Sequence, residues 1–539
     1  DKTPEYFEQK YPKRNLPEGA KVTRVAPSPT GFIHMGALYA ATIPERLAHQ
    51  SGGVFFLRIE DTDKKREIEG GVSEIVNSFA HYEVMFDEGM TGEHTEKGIY
   101  GPYKQSERGE IYQTFGKMLI EKGLAYPCFC SEEDLNEIRT KQEELKENPG
   151  YYGKWAKHRD ASFEEIKAEL EQGKAFVLRL KSPGSPEHRI VIKDLIKGDV
   201  EMPENNQDIV LLKSDGIPTY HFAHAIDDHL MRTTHVIRGD EWLSSAPIHV
   251  QLFEILGWEK PNFAHVPPVL KMDGASKRKL SKRKDPEAAV SYYSEQGYPV
   301  ESVREYLLTL INSNYEEWRM ENPTASNTEF TVDLDKMGTG GALFDLVKLT
   351  DISKDRIAFM RADEVYDMTL QWAQQYEAEL AEQMKSNEAY TRAILGIERG
   401  VEKPRKDIAK WSDVRGYLGY FYDSWFEEYT KEGYEFPGNL PNDDVKAVLD
   451  AYKNTYNKAD DKDIWFERAK TAAEKLGFAR DAKTYKKDKE SYKGHIGDFM
   501  SVIRVAISGR KNTPDLYELL DIMGEERLKA RFDKAINSI

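Results

Sequence analysis

The stretch Arg24-Val-Ala-Pro-Ser-Pro-Thr-Gly-Phe-Ile-His-Met-Gly-Ala37 decides how the rest of the chain is read. Its pattern predicts a short buried strand over 21–26, a stiff corner at Pro27-Ser-Pro29 and a tight turn at Thr30-Gly31. A helix then starts near His34-Met-Gly36. The first turn of such a helix has unpaired N–H groups, and together with the positive end of the helix dipole they suit a phosphate. A side chain at Gly36 would hold a nucleotide off the backbone. His34 can donate to phosphoryl oxygens that gain charge during transfer. The other reading of the stretch is a plain strand–turn–helix corner capped by a histidine.

Working outward, the helix runs through Leu38, Ala41 and Leu47, and Pro44 inside it is expected to kink it. Val54-Phe-Phe-Leu-Arg-Ile59 is a continuous apolar run, the mark of a strand buried on both faces of a parallel sheet. Glu60-Asp-Thr-Asp63 follows it, at the strand end where open α/β sheets bind ligands. Residues 1–20 read as an extended arm. From about residue 100 the pattern changes to helices over 106–123 and 131–146, then strands over 175–180 and 189–193. Strand patterns return at 209–212 and 235–238, which puts Arg238 at a strand end.

Beyond Lys284 the chain is largely helical. In Thr513-Pro-Asp-Leu-Tyr-Glu-Leu-Leu-Asp-Ile-Met-Gly524, Thr513 is the expected cap, Pro514 the first helical residue and Gly524 the stop. Leu516, Leu519, Leu520 and Met523 share one face, and Phe499, Val502, Ile503 and Ala506 repeat the spacing. Both stripes read as core.

A second charged stretch, Lys277-Arg-Lys-Leu-Ser-Lys-Arg-Lys284, follows a possible hinge at Gly274-Ala-Ser276. It is either a solvated basic loop or a mobile lysine pair that closes over a triphosphate. With His34-Met-Gly36 it resembles the KMSKS and HIGH motifs of the class I aminoacyl-tRNA synthetases. The likeness becomes specific at Arg24 to Gly31, Arg58-Ile-Glu-Asp-Thr-Asp63, Pro218-Thr-Tyr-His221, Asp227-Asp-His-Leu-Met231 and Val236-Ile-Arg238. There the chain resembles the bacterial-type glutamyl-tRNA synthetase family, from about residue 20 onward.

The resemblance implies an α/β fold: a Rossmann-type nucleotide-binding catalytic domain split by an α+β insertion, then an all-helical C-terminal region. The implied boundaries are an arm (1–20), the first catalytic half (21–105), an inserted acceptor-arm-binding domain (106–208) and the second half (209–276). A KMSKS-like loop with a stem-contact domain (277–375) and a helical anticodon-binding region (376–539) complete it. It also implies ATP with Mg²⁺, L-glutamate and tRNA(Glu), with tRNA(Gln) left open as a second acceptor. His34, Lys279 and Lys282 would be catalytic, and Pro29, Gly31, His34, Gly36 and Lys282 would bind ATP. Arg24 and Tyr220 would meet the side-chain carboxylate of glutamate, Arg238 its α-carboxylate, and Ser28 and Glu60 its amino group.

The chain departs from the family at Leu38-Tyr39, where many members have Arg-Thr, and at His224, where a close pattern has Asn. His224 lies four residues after Tyr220, so a helix would place both on one face. If it meets the γ-carboxylate as a cation, glutamate affinity should weaken as pH rises past its titration; otherwise it packs against Phe222 and His221. Tyr220 is alternatively a core residue, and Glu60 a partner of Arg58. Some relatives hold zinc through a Cys-x-Cys pair and a later cysteine. Here Cys128-Phe-Cys130 has no third cysteine, although His158 follows, so no structural zinc is expected.

Composition fits this picture. The chain has 539 residues, 39% of them hydrophobic, with no long uncharged apolar run, so no membrane span is expected. Two cysteines cannot build a disulfide framework and the start of the chain has no apolar signal-peptide core, which points to the cytoplasm; a monomer is also expected. A net charge of −17 leaves RNA binding to local patches, for which basic and aromatic residues in 480–510 are candidates. The rivals are a glutaminyl enzyme and a catalytically silent RNA-binding paralogue. Ser28-Pro-Thr-Gly31 and Glu60 to Asp63 argue against the first, and intact His34, Lys279 and Lys282 against the second.

Overall fold

The apolar run after Gly53 forms the strand Val54–Leu57, in which Phe55, Phe56 and Leu57 are fully buried. It lies parallel to Val22–Val25 on one side and to Glu88–Met90 on the other, and the short Glu96–Lys97 closes the sheet antiparallel. A second sheet is ordered His235–Gly239, Asn262–Val266, Arg189–Asp194, Gly198–Pro203, its first three strands parallel. The two sheets meet where Val22 N–H donates to Thr234 Oγ1 at 2.8 Å and Thr234 N–H to the Val22 carbonyl at 3.0 Å. The C-terminal ends of Val22–Val25 and His235–Gly239 are thereby neighbours, so Arg24 and Arg238 come to the same rim. This computed structural model describes residues 2–539. They fall into two units, Asp1–Tyr292 with Val303–Leu346, and Tyr293–Ser302 with Val347–Ile539.

In the first unit the helix Met35–Gln50 continues through Pro44, whose carbonyl accepts the Thr23 hydroxyl at 2.7 Å. A third sheet is antiparallel, ordered Ala125–Cys128, Val177–Leu180, Val210–Leu212. Two strands thus pair differently from their order along the chain. Arg189–Asp194 joins the Arg238 sheet, while Val210–Leu212 joins the sheet of Ala125–Cys128. Helix Glu132–Glu144 starts on a capping box between Ser131 and Asp134.

The N-terminal residues correct the sequence expectation of an extended arm. Thr3 Oγ1 accepts from Tyr6 N–H at 3.2 Å, Pro4 suits the first helical position, and Pro4–Lys10 is a helix. Phe7 and Tyr11 are buried, and Tyr11 Oη donates to the Gly101 carbonyl at 2.7 Å. Burial of Phe7 and Tyr11, with Glu8 bonded to His229 and Arg232, holds this segment.

The second unit is helical, and its core includes Phe499, Val502, Ile503, Ala506, Leu516, Leu519, Leu520 and Met523, as the stripes require. One cap differs. Asp515, not Thr513, caps Leu516–Met523, its Oδ1 accepting from Glu518 N–H at 3.0 Å. Thr513 is engaged elsewhere: Arg504 donates to its hydroxyl, which donates to the Pro514 carbonyl, and Pro514 precedes the helix. Gly524 ends the helix at φ +81°.

Candidate active site

His34 is the N-cap of Met35–Gln50, its Nδ1 accepting from Ala37 N–H at 3.1 Å. The ring hydrogen is therefore on Nε2, which is left as a donor. A Cβ on Gly36 would lie 2.9 Å from His34 Nδ1, so glycine is what lets the ring fold over the helix start. Burial, then Lys282 and Lys279, push the His34 pKa below its usual range, so the ring is neutral at pH 7.

Across from it, Val269–Asp273 and Ser276–Lys279 form a hairpin whose turn holds Gly274 at φ +63°. The basic run beyond is not a freely solvated loop. Arg278 grips Asp285 with both terminal nitrogens at 2.7 and 2.8 Å, and Asp285 also accepts from Ser281 N–H at 2.9 Å. The Arg278 guanidinium holds the Asp285 carboxyl far below the usual range. Lys282 Nζ donates to the Phe32 carbonyl, two residues before His34. His34, Gly36, Lys279 and Lys282 thus line one cleft of 340 Å³, shared with Glu241. Pro29 and Gly31, the latter at φ +151°, lie outside that lining on the corner leading to Phe32.

The helix Tyr220–Leu230 organises the second half of the site. Tyr220 stacks between Trp242, 4.1 Å away, and His224, 5.2 Å away. Its phenol feels the charges of Glu60, Arg238, Arg24 and Asp228, so these groups converge on one place. Arg24 directs Nε and Nη2 at Asp228, at 2.9 and 3.0 Å, leaving Nη1 for a ligand. Arg58 donates to Asp228 at 2.9 Å and reaches Glu60 at 3.4 Å, so Glu60 is indeed its partner. Burial pushes the Glu60 carboxyl up to about 7 against the pull of Arg58 and Arg24. Ser28 sits in the turn, its carbonyl accepting Thr30 N–H at 2.9 Å.

His224 differs from the sequence expectation of a titrating cation. It is fully buried, and its Nδ1 lies 3.1 Å from Asp228 Oδ2. A carboxylate only accepts, so the hydrogen is on Nδ1 and Nε2 is a lone pair, buried without a partner. Burial, with Arg238 and Arg24 nearby, pushes its pKa down to about 3 against the Asp228 hydrogen bond. A neutral His224 bonded to Asp228 is a different arrangement from the titrating cation of the sequence expectation.

Several residues here had no role assigned from sequence. Asp228 continues the stripe of Tyr220 and His224 at the same four-residue spacing, a signal that was available. Asp227 accepts from Arg108, Gln105 and Tyr112. Asp194, His249 and His265 around Arg238 are brought in by tertiary folding alone.

Away from this site, the ligand atoms of Cys128, Cys130 and His158 lie within 4.8 Å of one another. A structural zinc takes four ligands. The remaining polar group is Tyr151, whose hydroxyl is 3.3 Å from Cys128 Sγ, 3.7 Å from Cys130 Sγ and 3.5 Å from His158 Nδ1. Burial raises the Tyr151 pKa, and its phenol hydroxyl serves as the hydrogen-bond partner of the thiols.

Residues 21–338 match the family of class I tRNA synthetases (E and Q), catalytic domain, and 364–536 match an anticodon binding domain. The chain is 56% identical over 534 residues to a glutamate–tRNA ligase of Clostridium perfringens (strain SM101 / Type A), covering 99% of this chain and 97% of the relative. It is 50% identical to a glutamate–tRNA ligase of Acetivibrio thermocellus, with 99% and 97% covered. The crystal structure of a glutamate tRNA ligase from Elizabethkingia meningosepticum in complex with its amino acid superposes with a TM-score of 0.74, at 27% identity, over 96% of this chain and 99% of that one.

Proposed function

This chain belongs to the glutamate–tRNA ligase family of class I tRNA synthetases, and on that premise we propose that it charges tRNA(Glu) with L-glutamate. The observation that carries the proposal is the convergence of Glu60, Arg238 and Arg24 on Tyr220, with Gly239, the neighbour of Arg238, lining the cleft of His34 and Lys282. A substrate with two carboxylates and one ammonium matches that set. In the first step an α-carboxylate oxygen of glutamate attacks the α-phosphorus of ATP, and the bond to pyrophosphate breaks. The protein does little covalent work, so positioning and charge stabilisation dominate.

Arg24, through its free Nη1, and Tyr220 take the γ-carboxylate, Arg238 takes the α-carboxylate, and Glu60 with Ser28 takes the ammonium. His34 Nε2–H and the Lys282 ammonium donate to phosphoryl oxygens as charge builds on them, and Lys279 assists. Pro29, Gly31 and Gly36 shape the backbone beneath ATP. Glu241 is the carboxylate lining the cleft and would face Mg²⁺ carried in by ATP, which screens the triphosphate charge. In the second step a hydroxyl of the terminal tRNA ribose attacks the glutamyl carbonyl and AMP leaves. The proposal takes the enzyme as a cytoplasmic monomer, consistent with both cysteines being free thiols. No helix among the described residues is long and apolar enough to cross a membrane. ATP–pyrophosphate exchange tests the reading, run with glutamate or glutamine and with tRNA(Glu), tRNA(Gln) or neither. Exchange is expected with glutamate and not glutamine, with tRNA(Glu) as acceptor; exchange dependent on glutamine alone overturns it.

Glu60 gives the proposal a pH signature. An ammonium needs the carboxylate form, and burial pushes that carboxyl up to about 7. Glutamate affinity should therefore rise with pH up to about 7 and level off above it. Below that, Kd should worsen roughly tenfold per pH unit, because the proton competes with the ammonium. Calorimetric titrations from pH 5.5 to 8 read this directly. A flat profile, or the same slope in Glu60→Gln, removes Glu60 from the ammonium contact.

We further propose that the inserted domain holds together without structural zinc, its thiols bonded to the Tyr151 hydroxyl. Metal analysis of dialysed protein should find far less than one zinc per chain. Stoichiometric zinc that survives dialysis would sink this part of the proposal.

A further inference from the structure

We propose that His249 and His265 are positioning residues for Arg238, holding its guanidinium between two uncharged acceptors so that its full charge meets the substrate α-carboxylate. The inference rests on the reading of Arg238 given under the proposed function. Arg238 is buried, and its Nε donates to His265 Nε2 at 3.1 Å while Nη1 donates to His249 Nδ1 at 2.9 Å. Each direction follows from a partner that has no choice. His265 Nδ1 lies 2.6 Å from Asp194 Oδ2, which only accepts, so Nδ1 carries the hydrogen and Nε2 offers a lone pair to Arg238. Arg238 only donates, so His249 Nδ1 accepts and its Nε2–H points at His221 Nδ1, 2.8 Å away. The hydrogens are ordered along the whole line from Asp194 to His221.

The contrast with neighbouring arginines gives the arrangement its meaning. Arg24 and Arg58 are held by Asp228, and Arg108 by Asp227. Arg238 has no such carboxylate partner among the described residues. Its remaining nitrogen, Nη2, is buried without a hydrogen-bond partner, the Tyr220 phenol acting on its charge without a well-aligned bond. A carboxylate in place of either imidazole would orient the guanidinium equally well. It would also cancel the charge that an incoming anion needs. Neutral imidazoles give orientation without competition, and the buried cation, over the Phe263 ring and with Nη2 unbonded, is relieved when an anion binds. Burial, together with Arg238 itself, keeps both rings uncharged.

The test substitutes His249 by Gln, Glu and Leu and His265 by Leu, and measures kcat and KM for glutamate and ATP by pyrophosphate exchange. Inhibition by 4-aminobutyrate, which lacks the α-carboxylate, is measured alongside. His249→Leu and His265→Leu should raise the glutamate KM roughly tenfold to a hundredfold, the scale of a charge-assisted hydrogen bond. The ATP KM should stay within about twofold and 4-aminobutyrate inhibition should be unchanged. His249→Gln, whose amide oxygen accepts without charge, should recover most of the loss. His249→Glu also accepts but neutralises Arg238, and should raise the glutamate KM at least as much as leucine. A purely structural role predicts the opposite ranking of Glu and Gln, and this pair decides the matter if a leucine variant fails to fold. Arg238→Lys separates the premises: an unchanged glutamate KM there refutes the reading of Arg238. A raised KM there, with parent-like values in His249→Glu and His265→Leu, refutes the positioning role alone.

Discussion

Lys282→Ala should slow glutamyl-adenylate formation by roughly 10²–10³, and His34→Ala should do the same, while glutamate affinity changes far less. The size follows from what each group donates to. Neither side chain points at the amino-acid pocket. Lys282 reaches the carbonyl of Phe32, and His34 presents Nε2–H from the first turn of the helix, so both face the cleft where the triphosphate would lie. Negative charge on the phosphoryl oxygens grows only as the bond to pyrophosphate breaks, so the two donors act mainly in the transition state. His34 suits this because it is neutral with a defined tautomer, and needs no proton transfer to donate. Lys282 is delivered by a hairpin whose base is tied by Arg278 to Asp285. Pyrophosphate-exchange rates at saturating glutamate and ATP, with glutamate Kd measured separately, check the expectation. Near-normal exchange in either variant would mean that the cleft does not bind the reacting phosphates.

What was legible in the sequence, and what was not, separates by the range of the interactions involved. Val54–Leu57 could be read because a strand covered on both faces must be apolar throughout. His34 could be read as cap and donor because its partner, Ala37, is three residues away. The helix Pro4–Lys10 was missed because its stability comes from burying Phe7 and from contacts of the following Tyr11 with Gly101, neither of which leaves a local pattern. The sequence points to Thr513 as the cap, but Arg504 occupies the threonine hydroxyl and Asp515 caps instead, a long-range contact that local pattern does not show. The pairing of Arg189–Asp194 with Asn262–Val266 is invisible in a sequence read from one end to the other. The candidate site divides in the same way. Its cations and carboxylates were legible as residues, but which charges cancel was not. Arg24 and Arg238 look alike at two strand ends, yet one is paired with Asp228 and the other donates to two imidazoles.

Asp228→Ala should destabilise the catalytic unit by about 3–5 kcal/mol, the usual cost of removing one partner from a buried ion pair. Asp228 is fully buried, and its two oxygens take Arg24 at 2.9 and 3.0 Å, Arg58 at 2.9 Å, His224 at 3.1 Å and Thr233 at 3.2 Å. Burial alone would raise its pKa, but Arg24 and Arg58 outweigh burial and hold the carboxyl well below its usual range. Without it Arg24 loses both of its hydrogen bonds and Arg58 keeps the long one to Glu60 at 3.4 Å, in a dry interior. Asp228→Asn keeps the shape but has one acceptor oxygen and turns an NH₂ toward a cation, so it should lose nearly as much. The pH dependence has a definite sign. A depressed carboxyl stabilises the fold fully above its unfolded pKa, near 4, and loses that contribution as pH falls through the lower folded value. The parent should therefore exceed the variants by the whole amount at pH 7, with the gap closing only in acid. Urea unfolding followed in the transition of the catalytic unit, at pH 7 and at pH 3, measures both. Because Asp228 also orients Arg24 and His224, any folded variant should bind glutamate poorly while ATP affinity is largely kept. A variant with parental stability at pH 7 would show that Arg24 and Arg58 find other acceptors, and that the helix Tyr220–Leu230 is held to the sheet by apolar packing alone.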